Sequence, residues 1–274
     1  MKLSRLSRRE FVESMLLVGL TACAGPRVAR RTVRAGPGAW FAAIARLSDE
    51  LARGALSPHG FARRTGAKLL ELELESDVLA DWEREGPVDP GLAHNGTRIL
   101  DQRTLRFAGR DGSVIAILFY TPPGVTNPPH EHHNLISIKR VLKGSYHVRQ
   151  YERVRRVEPG VIAIRQVSEL VEVGLDGPCV DMTDDHLNVH WFGAAGAAPV
   201  LALNIVAIGP LAPAATFHGA GERRPPGQYY IDPTGAPDRD GVILAPSVGP
   251  ERAAELARLP LADFAPHLIP GEPA

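Results

Sequence analysis

The chain has no apolar run of about 18 residues, so no stretch of it reads as a permanent membrane span. It also has no excess charge of either sign. Lys and Arg total 31 and Asp and Glu total 31, which argues against a nucleic-acid partner. Cysteine is nearly absent: Cys23 and Cys179 are the only two, and no internal repeat is evident. What the chain has in plenty is turn formers. Its 27 Gly and 24 Pro favour short strands with many turns over long helices. A hydrophobic fraction of 44% and a charged fraction of 23% are ordinary for a globular protein. The 274 residues suit one domain of about 150 to 200 residues with appendages, or two small domains.

The N-terminus reads as an address. Ser7-Arg8-Arg9-Glu10-Phe11-Val12 resembles the twin-arginine export motif, and a short apolar stretch from Met15 to Ala22 follows it. That stretch is too short to span a bilayer stably and suits a signal h-region. It ends in Leu20-Thr21-Ala22-Cys23, which resembles a bacterial lipobox with Cys23 as the acylated residue. The expectation is a signal peptide over residues 1–22, export by the twin-arginine route, and a periplasmic or membrane-anchored lipoprotein. Cys179 is then the only thiol left, so no intramolecular disulfide can form even in an oxidising compartment.

Residues 23–38, rich in Arg, Gly, Ala and Pro, read as a linker. From Ala39 to about Leu56, Phe41, Ile44, Leu47 and Leu51 recur at helical spacing and predict an amphipathic helix. Ser57-Pro58 resembles an N-cap followed by Pro at the first helical position, opening a second helix through Leu70. A third helical piece is expected from Ser76 to Arg84, completing a helical extension over residues 39–95. From about Ile99 the pattern changes to short strands. Ser113 to Tyr120, Leu135 to Leu142, Tyr146 to Arg153, Val161 to Ile164, Leu170 to Val173, Val189 to Phe192 and Val200 to Ile208 are strand-like. Many short strands between Gly and Pro turns predict a sandwich or barrel over residues 96–240. A Pro-rich tail, 241–274, holds one short helical stretch, Pro250 to Leu259.

The chemistry-bearing residues are histidines. His130-Glu131-His132 stands at the entry to a strand-like run. Alternation along extended backbone sends His130 and His132 to one side, so both imidazoles can ligate one metal, while His133 points the other way. A third ligand must come from elsewhere. His190 lies in the strand-like Asn188-Val189-His190-Trp191-Phe192, and His186, four residues earlier, is its rival. The spacing Gly124, five residues, His130, one residue, His132, and Gly144 twelve residues on resembles the first motif of the cupins. That motif has a Glu four or five residues after its second His, where this chain has Ile136 and Ser137. Most iron oxygenases use two histidines and one carboxylate. Three neutral histidines leave the full charge of a divalent metal in place, which favours an anionic ligand such as a thiolate. The same three could hold zinc with an activated water.

His130-Glu131-His132-His133-Asn134, together with Gly144-Ser145-Tyr146-His147-Val148-Arg149-Gln150-Tyr151-Glu152, is similar to the plant cysteine oxidase and cysteamine (2-aminoethanethiol) dioxygenase family. That family has His-x-His, a hydrophobic strand, then Gly-Ser-x-His-Val-Lys/Arg-x-Tyr-Asp. Its Gly-Asn-Ile/Val-His segment resembles Asn188-Val189-His190. Its Pro-x-x-x-Leu-Asp-Ile/Val strand resembles Pro199 to Ile205, and its Tyr-Tyr segment resembles Tyr229-Tyr230. The resemblance covers about residues 38 to 240. It implies a single cupin barrel, a double-stranded β-helix or jelly roll, with an N-terminal helical extension. It also implies an Fe(2+) cofactor on His130, His132 and His190, and oxidation of cysteamine, cysteine or an N-terminal Cys to a sulfinate with O2. Asn204, Ser137 and Tyr229 are the candidate substrate-pocket residues. The family's late-strand Asp is Asn204 here, its Pro-Pro-Tyr tyrosine falls at Pro210 or Leu211, and Gln228 stands near the place of its crosslinking Cys. A zinc or manganese hydrolase or isomerase, and a non-catalytic binding cupin, remain the alternatives.

Among the other residues, His147 suits a structural hydrogen bond, Arg103 a surface role, and Asp181, Asp184 and Asp185 a solvated acidic loop. Cys179 reads as a plain buried thiol. Replacing Arg8 and Arg9 with lysine should hold the protein in the cytoplasm of a bacterial host. Cys23→Ser should move exported protein from the membrane to the soluble envelope fraction. Cell fractionation and immunoblotting check both.

Overall fold

A computed structural model describes residues 39–72, 74, 96–107, 109–212, 215–218, 224–259 and 261. The expected signal peptide, Cys23, the linker, the helical piece from Ser76 to Arg84 and the end of the Pro-rich tail lie outside the described residues. In chain order the elements are α1 (Ala39–Ala52), α2 (Pro58–Glu71), β1 (Gly96–Phe107), β2 (Arg110–Thr121), β3 (Thr126–His133), β4 (Leu135–Lys143) and β5 (Tyr146–Glu158). There follow β6 (Val161–Val173), β7 (Val180–Met182), β8 (Val189–Ala194), β9 (Val200–Ile208), β10 (Gly227–Tyr230), β11 (Val242–Pro246) and α3 (Pro250–Leu256).

The strands form two antiparallel sheets, ordered β1-β2-β9-β4-β7 and β10-β3-β8-β5-β6-β11. Between β2 and β9 every connection except the β5–β6 hairpin crosses from one sheet to the other. Eight strands wound in this way make a jelly roll, the cupin barrel, with the helices added in front. The sheets close on each other through Val141, Tyr146, Val148, Val180, Met182, Phe192 and Ala202, which are drawn from both. Toward the other end, Ile115, Ile117, Phe119, Leu135 and Val206 line the inner face of the five-stranded sheet.

The apolar runs of β2, β4 and β9 are long because these strands are buried on both faces. Their outward residues, among them Val114, Leu118, Ile136, Ile138, Leu203 and Ile205, pack under Ile44, Leu47, Phe61 and Leu69 of the helices. The Gly60 N–H donates to Ser57 Oγ at 3.0 Å and caps α2, as Ser57-Pro58 predicts. Arg140 of β4 donates to the carbonyls of Leu69 and Leu72, satisfying the end of α2. The outer face of the second sheet is covered by the returning chain, where Tyr151, Ile164 and Val189 meet Ile231, Ile243 and Ala245.

Three boundaries differ from the sequence reading. α1 stops at Ala52 rather than Leu56, because Gly54 adopts a left-handed conformation (φ 73°) and turns the chain. The two runs at Val161 to Ile164 and Leu170 to Val173 are one strand; ladder pairing to β5 carries it through the polar residues between them. β1, β3, β7, β10 and β11 are strands beyond the strand-like runs expected from the sequence. The β4–β5 turn at Gly144 admits only glycine. Its φ is 73°, and a Cβ there would lie 2.4 Å from the Pro199 carbonyl oxygen.

Candidate metal centre

β3 and β8 are neighbours in the six-stranded sheet, and their register places His130 directly opposite His190. His132, two residues along β3, faces the same way. The three rings meet inside the barrel, all fully buried. Ring centroids are 4.3 Å apart for His130 and His190, 5.0 Å for His132 and His190, and 5.2 Å for His130 and His132. One nitrogen from each lies within 4.8 Å of the others, and the Nε2 atoms of His130 and His190 are 2.7 Å apart. Two nitrogens bound at right angles to one ion at about 2.0–2.1 Å are roughly 3 Å apart, so the spacing suits a shared metal. The two strands that bring the histidines together were joined by topology, across 60 residues of chain.

The donor atoms fit a metal chemically. His130 Nδ1–H donates to the Pro128 carbonyl at 2.6 Å, which leaves the Nε2 lone pair aimed at the cluster. Both ring nitrogens of His132 are buried without a hydrogen-bond partner, a costly arrangement that an ion on the lone-pair nitrogen would relieve in part. All three imidazoles are neutral. Burial lowers His130 to about 3, and Lys139 adds to the effect. His132 and His190 are held well below the usual histidine range by burial, then by the neighbouring histidines and Lys139, with Arg153 also acting on His132. No carboxylate belongs to the cluster. A neutral three-nitrogen face suits iron, zinc or another divalent transition metal.

The backbone of His132 is clamped from two sides. Its N–H donates to Asn188 Oδ1 at 2.8 Å, and Asn188 Nδ2 donates in turn to the Thr183 carbonyl at 2.9 Å. Its carbonyl accepts from Arg153 at 3.1 Å. Asn188 lies two residues before His190, so one side chain couples the loop of the third histidine to the strand of the other two. On the reverse face of β3, Glu131 is buried against Arg224 (2.7 Å), His218 (3.1 Å) and Arg153 (3.4 Å). Burial alone would raise its pKa. The His218 hydrogen bond and the Arg153 and Arg224 charges outweigh that and keep it ionised below the usual carboxylate range.

The other expected residues fall in distinct places. Ser137 Oγ donates to Asn204 Oδ1 at 2.8 Å; both are fully buried, and Asn204 Nδ2 has no partner. Tyr229, expected in the pocket, is corrected by the register. It stands opposite Glu131 on the outward face, its ring under the Arg224 guanidinium and its hydroxyl on the Pro225 carbonyl. Gln228 and Tyr230 are the β10 residues that stand opposite His132 and His130. Gln228 has both amide atoms buried without a partner. His186 stays outside the cluster, partly exposed and 4.0 Å from Glu152. His147 hydrogen-bonds Glu169 at 2.6 Å, and Arg103 ties β1 to α1 through Asp49 and the Ala45 carbonyl. Asp184 is not a solvated loop residue: it is buried and accepts from the Asn134 and Phe217 N–H groups. Cys179 is buried as expected.

The residue that the sequence reading passes over is Lys139. It is fully buried, with its amine 3.9 Å from the Phe192 ring centroid, 4.5 Å from Phe119 and 5.5 Å from Tyr146. Burial pushes its pKa well below the usual lysine range. Its parity with Ser137 in the run Leu135 to Leu142 is the signal that marks it as inward.

No protein-family model matches the chain, and no curated protein matches it. Among solved structures it is similar to the capsular polysaccharide assembling protein CapF from Staphylococcus aureus, at 18% identity and a TM-score of 0.27, over 43% of this chain and 29% of that one. It is similar to vicilin from Capsicum annuum, at 14% identity and a TM-score of 0.25, over 35% of this chain and 23% of that one. It is also similar to KdgF from Halomonas sp., at 14% identity and a TM-score of 0.28, over 45% of this chain and 89% of that one. The chain spans under a third of the CapF length that it matches. At these scores the chemistry of the site rests on its own residues.

Asn188→Ala should weaken metal binding by about 10- to 100-fold, read by competition with a chelator, because it frees the His132 peptide. The metal-free protein should also be acid-sensitive. Its buried imidazoles titrate below the unfolded value of about 6.5, so below that pH only the unfolded chain takes up their protons. Their contribution to stability is complete above about pH 6.5 and is lost as the pH falls toward about 3, where His130 is protonated. Urea midpoints should drop on acidification in this range, and drop less in His130→Gln.

Proposed function

We propose that the chain is an iron(II)-dependent thiol dioxygenase that converts cysteamine, cysteine or an N-terminal cysteine to the sulfinate. The observation that supports it best is the donor set: three neutral imidazole nitrogens converge with no carboxylate among them. Such a face leaves the dipositive charge of the ion for the substrate to answer, and a thiolate answers it better than a neutral group. When bound, iron(II) supplies the one-electron chemistry that lets a thiol react with dioxygen. The overall change balances as RSH plus O2 giving RSO2H, with four electrons passing from sulfur to the two oxygen atoms.

The chain's residues set the conditions for that reaction. His130, His132 and His190 would hold the ion, one nitrogen from each. The His130 hydrogen bond to Pro128 fixes its tautomer, and the Asn188 and Arg153 clamps fix the backbone of His132. The apolar clusters at either end of the barrel exclude water from the reacting sulfur. Gln228 and Tyr230, beside His132 and His130 on β10, are placed to border the substrate. The Arg8-Arg9 and Cys23 motifs add to the reading an exported, lipid-anchored enzyme that meets its thiol at the cell envelope.

Protein loaded anaerobically with iron(II) should consume oxygen with at least one of cysteamine, cysteine and a Cys-initiated peptide, and mass spectrometry should detect the sulfinate. His190→Ala should abolish both. No oxygen uptake with any thiol overturns the proposal. A stoichiometric zinc or manganese content after anaerobic purification would favour the hydrolase or isomerase reading. Thermal stabilisation by ligands without turnover would favour a binding protein.

A further inference from the structure

The inner layer of the barrel is charged in one sense only. Among the described residues the buried carboxylates are Glu131 and Asp184. Both are held by Arg153 on the far side of β3, Glu131 also by Arg224 and His218. The inward layer offers imidazoles, amides, hydroxyls and the Lys139 amine, so the groups in it that gain charge by taking up a proton become cations. Lys139 approaches the centre through Phe192: its amine is 3.9 Å from that ring's centroid, which lies 6.1 Å from the centroid of His190.

Asn204 stands beside Lys139 in the sheet. It is the register partner of Lys139 across β4 and β9, and directly opposed side chains have Cβ atoms about 4.5–5.5 Å apart. Ser137 donates to Asn204 Oδ1, so the amide turns its NH2 away from Ser137. That NH2 is buried and has no acceptor. A buried donor without an acceptor is costly, and a ligand oxygen relieves the cost. An ammonium placed there would meet an N–H donor and gain no acceptor from it.

We propose that the centre selects a ligand bearing a carboxylate over one bearing an ammonium, with the Asn204 amide and the Lys139 amine receiving the carboxylate. The inference rests on the metal-centre part of the proposed function, but not on sulfur oxidation. It narrows the thiols to those that carry an acid group.

Zinc-loaded full-length protein, which cannot turn over, tests it by calorimetric titration with 3-mercaptopropionate, cysteamine and thiol-free propionate. 3-Mercaptopropionate should bind at least tenfold more tightly than cysteamine, and propionate should compete with it. Asn204→Asp keeps the side-chain volume and the Ser137 hydrogen bond but replaces the donor with a negative charge. It should shrink the preference by tenfold or more. Asn204→Ala should weaken propionate without strengthening cysteamine. Metal content and melting temperature establish that each variant is folded. Equal binding of the two thiols by the parent protein, an unchanged ratio in Asn204→Asp, or no binding of any of the three compounds overturns the proposal. Carboxylate selection with no oxygen uptake by the iron-loaded protein would leave this inference standing and remove the dioxygenase reading.

Discussion

β3 is buried along its whole length although the only apolar side chains from Thr126 to His133 are the rings of Pro128 and Pro129. Hydrophobic burial alone does not hold such a strand in place, and each polar group taken from water must find a partner or cost free energy. The partners come from the rest of the chain. Asn188 takes the His132 N–H and Arg153 takes its carbonyl, while Arg224, His218 and Arg153 neutralise Glu131. What is left over is informative. His132 has no hydrogen-bond partner on either ring nitrogen, and one of them lies where an ion would complete it.

The jelly roll makes this affordable by burying its other sheet on two faces. β2, β4 and β9 pack inward against the six-stranded sheet and outward against α1 and α2, so they supply most of the apolar burial. At about 25 cal/mol per Å² of apolar surface, such doubly covered strands stabilise the fold far more than β3 can destabilise it. The helical extension is therefore a condition of the site. It gives β4 and β9 a second apolar face, and that rigidity fixes Ser137, Lys139 and Asn204 opposite the histidines.

The same physics decides what could be read from the sequence. Strands buried on both faces carry long apolar runs, so β2, β4 and β9 were legible, as were the α1 stripe and the Ser57-Pro58 cap. β3 and β10 are held by ladder pairing and polar contacts and leave no periodic apolar trace, β7 at three residues is too short to show one, and the apolar run of β11 lies past residue 240, where the barrel was expected to end. The parity of His130 and His132 follows from extended backbone alone. Choosing between His186 and His190 needs the β3–β8 register, because both sit near the same turn and only His190 stands opposite His130. Tyr229 was misplaced for a related reason. Next to Tyr230 in sequence, it differs by one step of alternation, and one step moves a side chain to the other face of the sheet.

The division of charge across β3 links the fold to the chemistry. Glu131 lies between two of the metal-facing histidines in sequence, yet alternation sends it to the opposite face, where three cationic or hydrogen-bonding partners keep it. It cannot reach the centre without breaking those bonds, among them the ion pair to the buried guanidinium of Arg153, and that would be unfavourable. Ile136 and Ser137 leave the inner face without a carboxylate at the place where one would join the donor set. The inner face is consequently neutral or cationic throughout, with Lys139 seated on its aromatic rings. A divalent ion in that setting carries a charge that no buried side chain of the described residues can offset. The anion that completes it has to arrive as ligand, and that constrains what the centre can bind more tightly than the identity of the metal does.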